Sequence, residues 1–365
     1  MFPPCALPML SSCRPLNALV GSDTQCMSEA PTRRLILIAL LLGAVGGCNL
    51  VRDATTRLPG PRMYEKGAAV IEGIRAFEQR IGFQPTDNFL NPTRETESYP
   101  FCGFASRLVL PYTYEDPSIH WQSSTATESD CRQLAGEGMD VYFGQSEAIG
   151  EIGAPVTPSM LAGSLVRFVY LVIHEDCHDQ YDFPRGIEEA LCNVIAYNAM
   201  VEYATENERP GFLERTAMRR YAERESERTR AAKALYEELE RLYARFGRKE
   251  ISAQALMDER AKVFGRVEKA LALERGSVTN VRIANEMTYS RHFPFLESVF
   301  KAHDRDLART VFFFRRVDAL KPSRASILKQ LRLKSEESLE FIRAHEAAVL
   351  ETIRKELDAA KLRLP

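Results

Sequence analysis

Two histidines four residues apart, with a glutamate between them, close a long apolar run. The stretch is Leu171-Val172-Ile173-His174-Glu175-Asp176-Cys177-His178-Asp179, in a chain with only six histidines. Positions i and i+4 of a helix lie one above the other on the same face. Two imidazoles so placed can hold one divalent ion, and Glu175 beside them can reach a water that the ion activates. Upstream, Met160 to Ile173 is apolar nearly all round, with Arg167 the main exception. A helix without a polar face is a buried one. The pattern predicts a core helix, entered through the N-cap and first-turn proline of Thr157-Pro158-Ser159, whose C-terminal end carries metal ligands.

The segment Tyr181 to Gly186 breaks that helix, and a second is expected from about Ile187 to Ala204. It carries Glu188 and Glu189, either of which supplies the third ligand of a two-histidine, one-glutamate site. Glu189 is favoured because Ala190 and Asn193 follow it in the manner of the Asn-Glu-Ala-x-x-Asp motif of thermolysin-like enzymes. That resemblance implies that Asn193 hydrogen-bonds a histidine ligand and orients it. His174, His178 and Glu189 call for one Zn2+ with a fourth position left for water, and Glu175 is then the general base. Cys177 and Cys192 each lie three residues beyond a proposed ligand, His174 and Glu189. They read as buried packing residues, with a thiolate ligand as the alternative. Asp176, Asp179 and Asp182 read as solvated or loop-capping acids; a weaker reading has them favour a basic residue or a free amine on a substrate.

The remaining chain reads as delivery and scaffold. Arg33-Arg34 precede an apolar run from Leu35 to Gly47, shorter than the about 20 residues of a spanning helix and ending in small residues, as a secretory signal does. Val45-Gly46-Gly47-Cys48 looks like a bacterial lipobox, which makes Cys48 the site of lipid attachment and Met27 the expected start. Asn49 stands where an aspartate would retain the protein at the inner membrane. The expected location is therefore the bacterial envelope, on the periplasmic face of the outer membrane. Residues 1–47 form the signal region and 48–61 a membrane-proximal linker. Residues 62–365 form one large unit, of which 62–208 hold the metal helices and 209–365 a helical part that completes the cleft. In an exported protein disulfides are permitted, and Cys102 and Cys131, both in the less helical N-terminal part, are expected to pair; free buried thiols are the alternative. The formal net charge of −2 gives no reason to propose a nucleic-acid partner.

Periodicity places a helix over 62–80, a loop over 82–98, strands over 99–114 and 140–143, and helices at about 219–246, 252–274, 279–290, 293–319 and 323–361. The predicted fold class is α+β, predominantly α-helical, with a small sheet beside a zincin-type core helix and a large helical C-terminal half. Val141 to Gly144 is the candidate for an edge strand that binds substrate backbone.

Several blocks, in order, resemble a bacterial family of predicted zinc aminopeptidases that are themselves lipoproteins. They are Gly138-Met-Asp-Val-Tyr, Pro155-Val-Thr-Pro-Ser-Met-Leu161, the His-Glu-x-x-His helix, Asn280-Val-Arg-Ile-Ala284 with Thr288-Tyr289, and Pro294-Phe-Leu-Glu-Ser-Val-Phe300. The resemblance implies a membrane-anchored, gluzincin-like metallopeptidase with a peptide substrate and a preference for exopeptidase action. Tyr289, in a shared block, is the candidate donor to the oxyanion. The chain departs from the family in Asp176 and Cys177, where small apolar residues are usual, and in Glu188-Glu-Ala-Leu-Cys192, where Asn-Glu-Ser-Phe-Ala is usual. Those departures keep two alternatives open: an inactive metal-binding lipoprotein serving as a binding or assembly factor, and an amidase acting on cell-wall peptides.

Overall fold

A computed structural model describes residues 61–93, 98–122, 127–148, 153–206, 212–270 and 273–364. The signal region, the lipobox and Cys48 lie outside the described residues. The first helix, α1 (Pro61–Ile81), buries Ile71, Ile74, Phe77 and Ile81, the stripe expected from its periodicity. Strands β1 (Tyr99–Ser106), β2 (His120–Gln122) and β3 (Met139–Ser146) form an antiparallel sheet in the order β2-β1-β3. Strand β1 stops well short of the predicted residue 114. Beyond it Pro111 and Pro117 cannot donate to a ladder, and the Asp116 carboxylate takes the backbone N–H groups of Tyr112 and Ser118. In the β1–β3 register Phe101 lies opposite Gly144, where a Cβ would collide with the phenyl ring. Helix α2 (Glu128–Ala135) is tied to β1 by the expected disulfide between Cys102 and Cys131, with Cα atoms 5.7 Å apart.

The long apolar run is two helices rather than one. Helix α3 (Pro158–Ala162) ends at Gly163, whose backbone is extended, and Ser164 restarts the chain as the N-cap of α4 (Leu165–His178), accepting the Arg167 N–H. Helix α5 (Arg185–Glu206) then returns against α4. The helical half follows as α6 (Phe212–Gly247), α7 (Ala253–Ala270), α8 (Asn280–Ser290), α9 (Phe293–Ala302), α10 (Leu307–Leu320), α11 (Arg324–Leu331) and α12 (Leu339–Ala359). Two helices expected to be continuous are broken. Asp304 and Arg305 take positive φ, and Asp306 caps α10; Arg332 is left-handed, and Ser338 caps α12. In both places a short polar residue satisfies the N–H groups of a new helix inside sequence of helical composition.

The main core is shared by α1, α4, α5, α9, α10 and α12, and Val169, Val172, Ile173, Ala190 and Leu191 at its centre are fully buried. Leu239, Val267 and Met287 belong to a second cluster among α6, α7 and α8. Helix α8 is the joint between sheet and helices: Val281 and Ala284 pack on Ala105 and Tyr142. At its start the Asn280 N–H donates to Asp140 of β3 at 2.7 Å, and Asp140 also pairs with Arg260. The fold is thus predominantly helical with a small antiparallel sheet. No helix among the described residues is long and apolar enough to cross a membrane.

Candidate metal centre

The last two turns of α4 carry His174 and His178, and the second turn of α5 carries Glu189. Glu189 Oε2 stands 3.1 Å from His174 Nε2 and 3.4 Å from His178 Nε2. One donor atom from each residue lies within 4.8 Å of the others, and all three residues are buried. The imidazole planes are nearly perpendicular, at 87°, with centroids 4.9 Å apart. Donors about 2.0–2.1 Å from a tetrahedral ion stand roughly 3.3 Å from one another. Both Nε2 atoms are turned to the carboxylate at that spacing, while the two buried Nδ1 atoms have no hydrogen-bond partner. The donor set and its spacing fit a divalent ion of the zinc class.

The charges of the metal-free group reinforce one another. Burial alone would lower the pKa of His178, but the facing Glu189, with Glu188 and Glu175, holds it well above the usual imidazole range. Burial likewise opposes ionisation of Glu189, and the two histidines outweigh it, holding that carboxyl well below the usual range.

The choice between the two glutamates follows from geometry. Glu188 Oε1 lies 3.8 Å from His178 Nδ1, on the ring edge away from Glu189, and its other oxygen lies 3.8 Å from Arg185. Glu189 therefore faces the two Nε2 atoms that could hold an ion, and Glu188 backs the second imidazole.

Asn193 does not take the predicted place beside a histidine. Its Oδ1 accepts the Tyr170 hydroxyl at 2.7 Å. Asn193 lies four residues beyond Glu189 and Tyr170 four before His174, so the two meet one turn away from the ligands at the same helix interface. The Tyr170 ring lies 5.3 Å from that of His174, and Tyr197 stacks on Tyr170 at 5.5 Å. Sequence reasoning missed Tyr170, although its spacing from His174 puts it on the ligand face.

Cys177 and Cys192 are joined to each other, with Cα atoms 5.5 Å apart, so neither is a lone packing thiol or a thiolate ligand. Of the three acids near the histidines, Asp179 and Asp182 are exposed, as expected, and only Asp176 departs from the expectation. Asp176 is buried and accepts the Thr86 hydroxyl, while Asp179 accepts Asn88 Nδ2 at 3.0 Å. Both thus face the loop after α1, away from the donors. Asn88 also donates to the Glu175 carbonyl at 3.2 Å, so this loop braces the metal helix from behind. Asp182 pairs with Arg324 at 2.6 Å. His292 belongs to a separate group, bonded to Glu346 at 2.9 Å.

The donors lie between two openings. A small one of about 120 Å³ is lined by His174, Glu175, Tyr289, Tyr142 and Ser146. A larger one of about 790 Å³ is lined by His178, Glu188, Tyr114, Glu115 and Arg185. Tyr289, carried by α8, has its ring 6.4 Å from that of His174. Strand β3 is an edge strand, and its Tyr142 and Ser146 flank the opening that holds Glu175. The arrangement sets a donor group that could hold a metal ion beside an opening that also holds a carboxylate and a phenol, elements that hydrolysis of an acyl bond can use. Residues 120–330, more than half of the chain, match the model of a family described as "Putative aminopeptidase". No curated protein and no solved structure matches the chain.

Proposed function

Since this chain belongs to the "Putative aminopeptidase" family, we propose that it is a zinc-dependent, gluzincin-like peptidase that removes residues from the amino end of peptides. The observation that carries the reading is the convergence of His174, His178 and Glu189 next to Glu175. When bound, zinc supplies Lewis acidity, lowering the pKa of water to about 7 and polarising the scissile carbonyl. Glu175 takes the proton of the attacking water on its carboxylate and returns it to the leaving amine. The Tyr289 hydroxyl donates to the oxyanion that develops. Glu188, 3.8 Å from His178 Nδ1, places a negative charge beside that ring, and the β3 edge offers backbone groups to an extended peptide.

The sequence departures that favoured an inactive binding factor lose weight. Asp176 is turned to Thr86, and Glu189 stays on the histidines despite its altered neighbours. The envelope location and lipid anchor rest on the lipobox at Cys48. All four cysteines of the described residues are in disulfides, which supports an oxidising compartment.

The test pairs metal analysis of the purified protein with a peptide library. Wild type is expected to carry one zinc and shorten peptides from the amino end; Glu175→Gln is expected to keep the zinc and lose cleavage. Equal cleavage by both would remove Glu175 from its role. Zinc without cleavage by either would favour the binding-factor reading, and cleavage confined to cell-wall peptides the amidase.

A further inference from the structure

We propose that the Cys177–Cys192 disulfide is a positioning crosslink for the metal site, holding the carboxylate of α5 in register with the imidazoles of α4. The proposal rests on the metal reading above. The bond joins the two helices that supply the ligands, and no other. Cys177 lies between the two histidines, next to His178, and Cys192 lies one turn beyond Glu189. The Cα separation of 5.5 Å pins the helices together within one turn of every donor.

That register matters because the donors come from separate helices. Metal–ligand distances are held to about ±0.2 Å, whereas a slip of one residue along a helix is about 1.5 Å. Such a slip of α5 would carry Glu189 away from both Nε2 atoms. One hydrogen bond, from the Tyr170 hydroxyl to Asn193, also ties α4 to α5, on the side of His174 away from Cys177; the crosslink adds a covalent tie beside His178, in helices whose Ile173, Leu191 and Ile195 are fully buried and apolar. Both cysteines are also fully buried. Thiol exchange needs access to a sulfur, so the bond is a permanent strut rather than a switch.

The test measures zinc affinity by competition with a chelator in Cys177→Ala/Cys192→Ala and in a refilled Cys177→Ala/Cys192→Val, each with and without Glu189→Ala. Cys102→Ala/Cys131→Ala is the comparator. The crosslink-free proteins are expected to bind zinc about tenfold more weakly or worse, the scale on which ligand-orienting contacts act, and the comparator as tightly as wild type. In the Glu189→Ala background removal of the crosslink is expected to cost nothing further, because no carboxylate remains to be placed. Folded variants with wild-type affinity, or an equal loss in both backgrounds, would overturn the proposal. Collapse of both crosslink-free variants, with zinc or without it, would assign the bond to the core and overturn it too. A wild type that binds no zinc would instead sink the metal reading itself.

Discussion

The Glu188 carboxylate stands 3.8 Å from His178 Nδ1, on the opposite side of the ring from Glu189. Two adjacent glutamates on one helix thus address opposite edges of one imidazole, and their substitutions should differ in kind. Glu189→Ala removes a ligand and is expected to weaken zinc binding far more than loss of an orienting contact does, down to the residual affinity of a two-histidine site. Glu188→Gln keeps the ligands and removes the negative charge beside His178, and a loss of about 10–100-fold in zinc affinity is expected, the scale of changes next to a ligating imidazole. Metal analysis and chelator competition on both variants check this. The reverse order would exchange the roles of the two residues.

Zinc binding should release a proton near neutral pH. Although burial opposes it, the surrounding carboxylates keep His178 protonated above the usual imidazole range in the metal-free site. A ligand must be neutral imidazole. Zinc affinity is therefore expected to rise with pH beyond the about 6.5 at which an ordinary histidine levels off. Calorimetry at pH about 7 in two buffers of different ionisation enthalpy counts the proton; heat independent of buffer would show that His178 is already neutral.

The brace behind the metal helix carries a stability cost. Glu78 on α1 is buried, and burial together with Asp176 raises its pKa well above the usual carboxylate range. An acid raised in the folded state contributes stability that is fully present below its unfolded pKa and lost as pH rises through the folded one. Glu78→Gln stays neutral throughout. Its melting temperature is expected to exceed that of wild type at pH about 8 and to converge with it near pH about 4. Thermal melts across pH decide this, and a wild-type advantage at the higher pH would contradict it.

Tyr289→Phe is expected to lower kcat by about 100-fold with little change in KM, because an oxyanion donor acts mainly in the transition state. Zinc content should not change. An unaltered kcat would leave Tyr289 as a packing residue of α8.

The two disulfides should separate stability from metal binding. Cys102 and Cys131 are 29 residues apart and lie on the sheet side. Their loss is expected to cost about 2–4 kcal/mol in unfolding free energy. Denaturant melts of the double alanine variant measure that cost, and an effect on zinc affinity would link the sheet to the site.

The sequence by itself determined the local parts. A four-residue spacing places His174 and His178 on one helix face wherever that helix sits, and an apolar run with no polar face commits its helix to the core. A glutamate-bearing helix after a break at Pro184 was equally legible, although it starts at Arg185 rather than Ile187, as were the helical bulk and the small sheet. Tertiary structure alone decided which groups meet across helices. Whether Glu188 or Glu189 faces the imidazoles depends on the rotation of α5 against α4, since neighbours on a helix point about 100° apart. The same rotation sends Asn193 to Tyr170 and joins Cys177 to Cys192, pairings that no spacing along one chain segment encodes. The breaks at Gly163, Asp306 and Ser338 were hidden for a related reason: a cap competes with helix continuation, and packing of the next helix settles the contest.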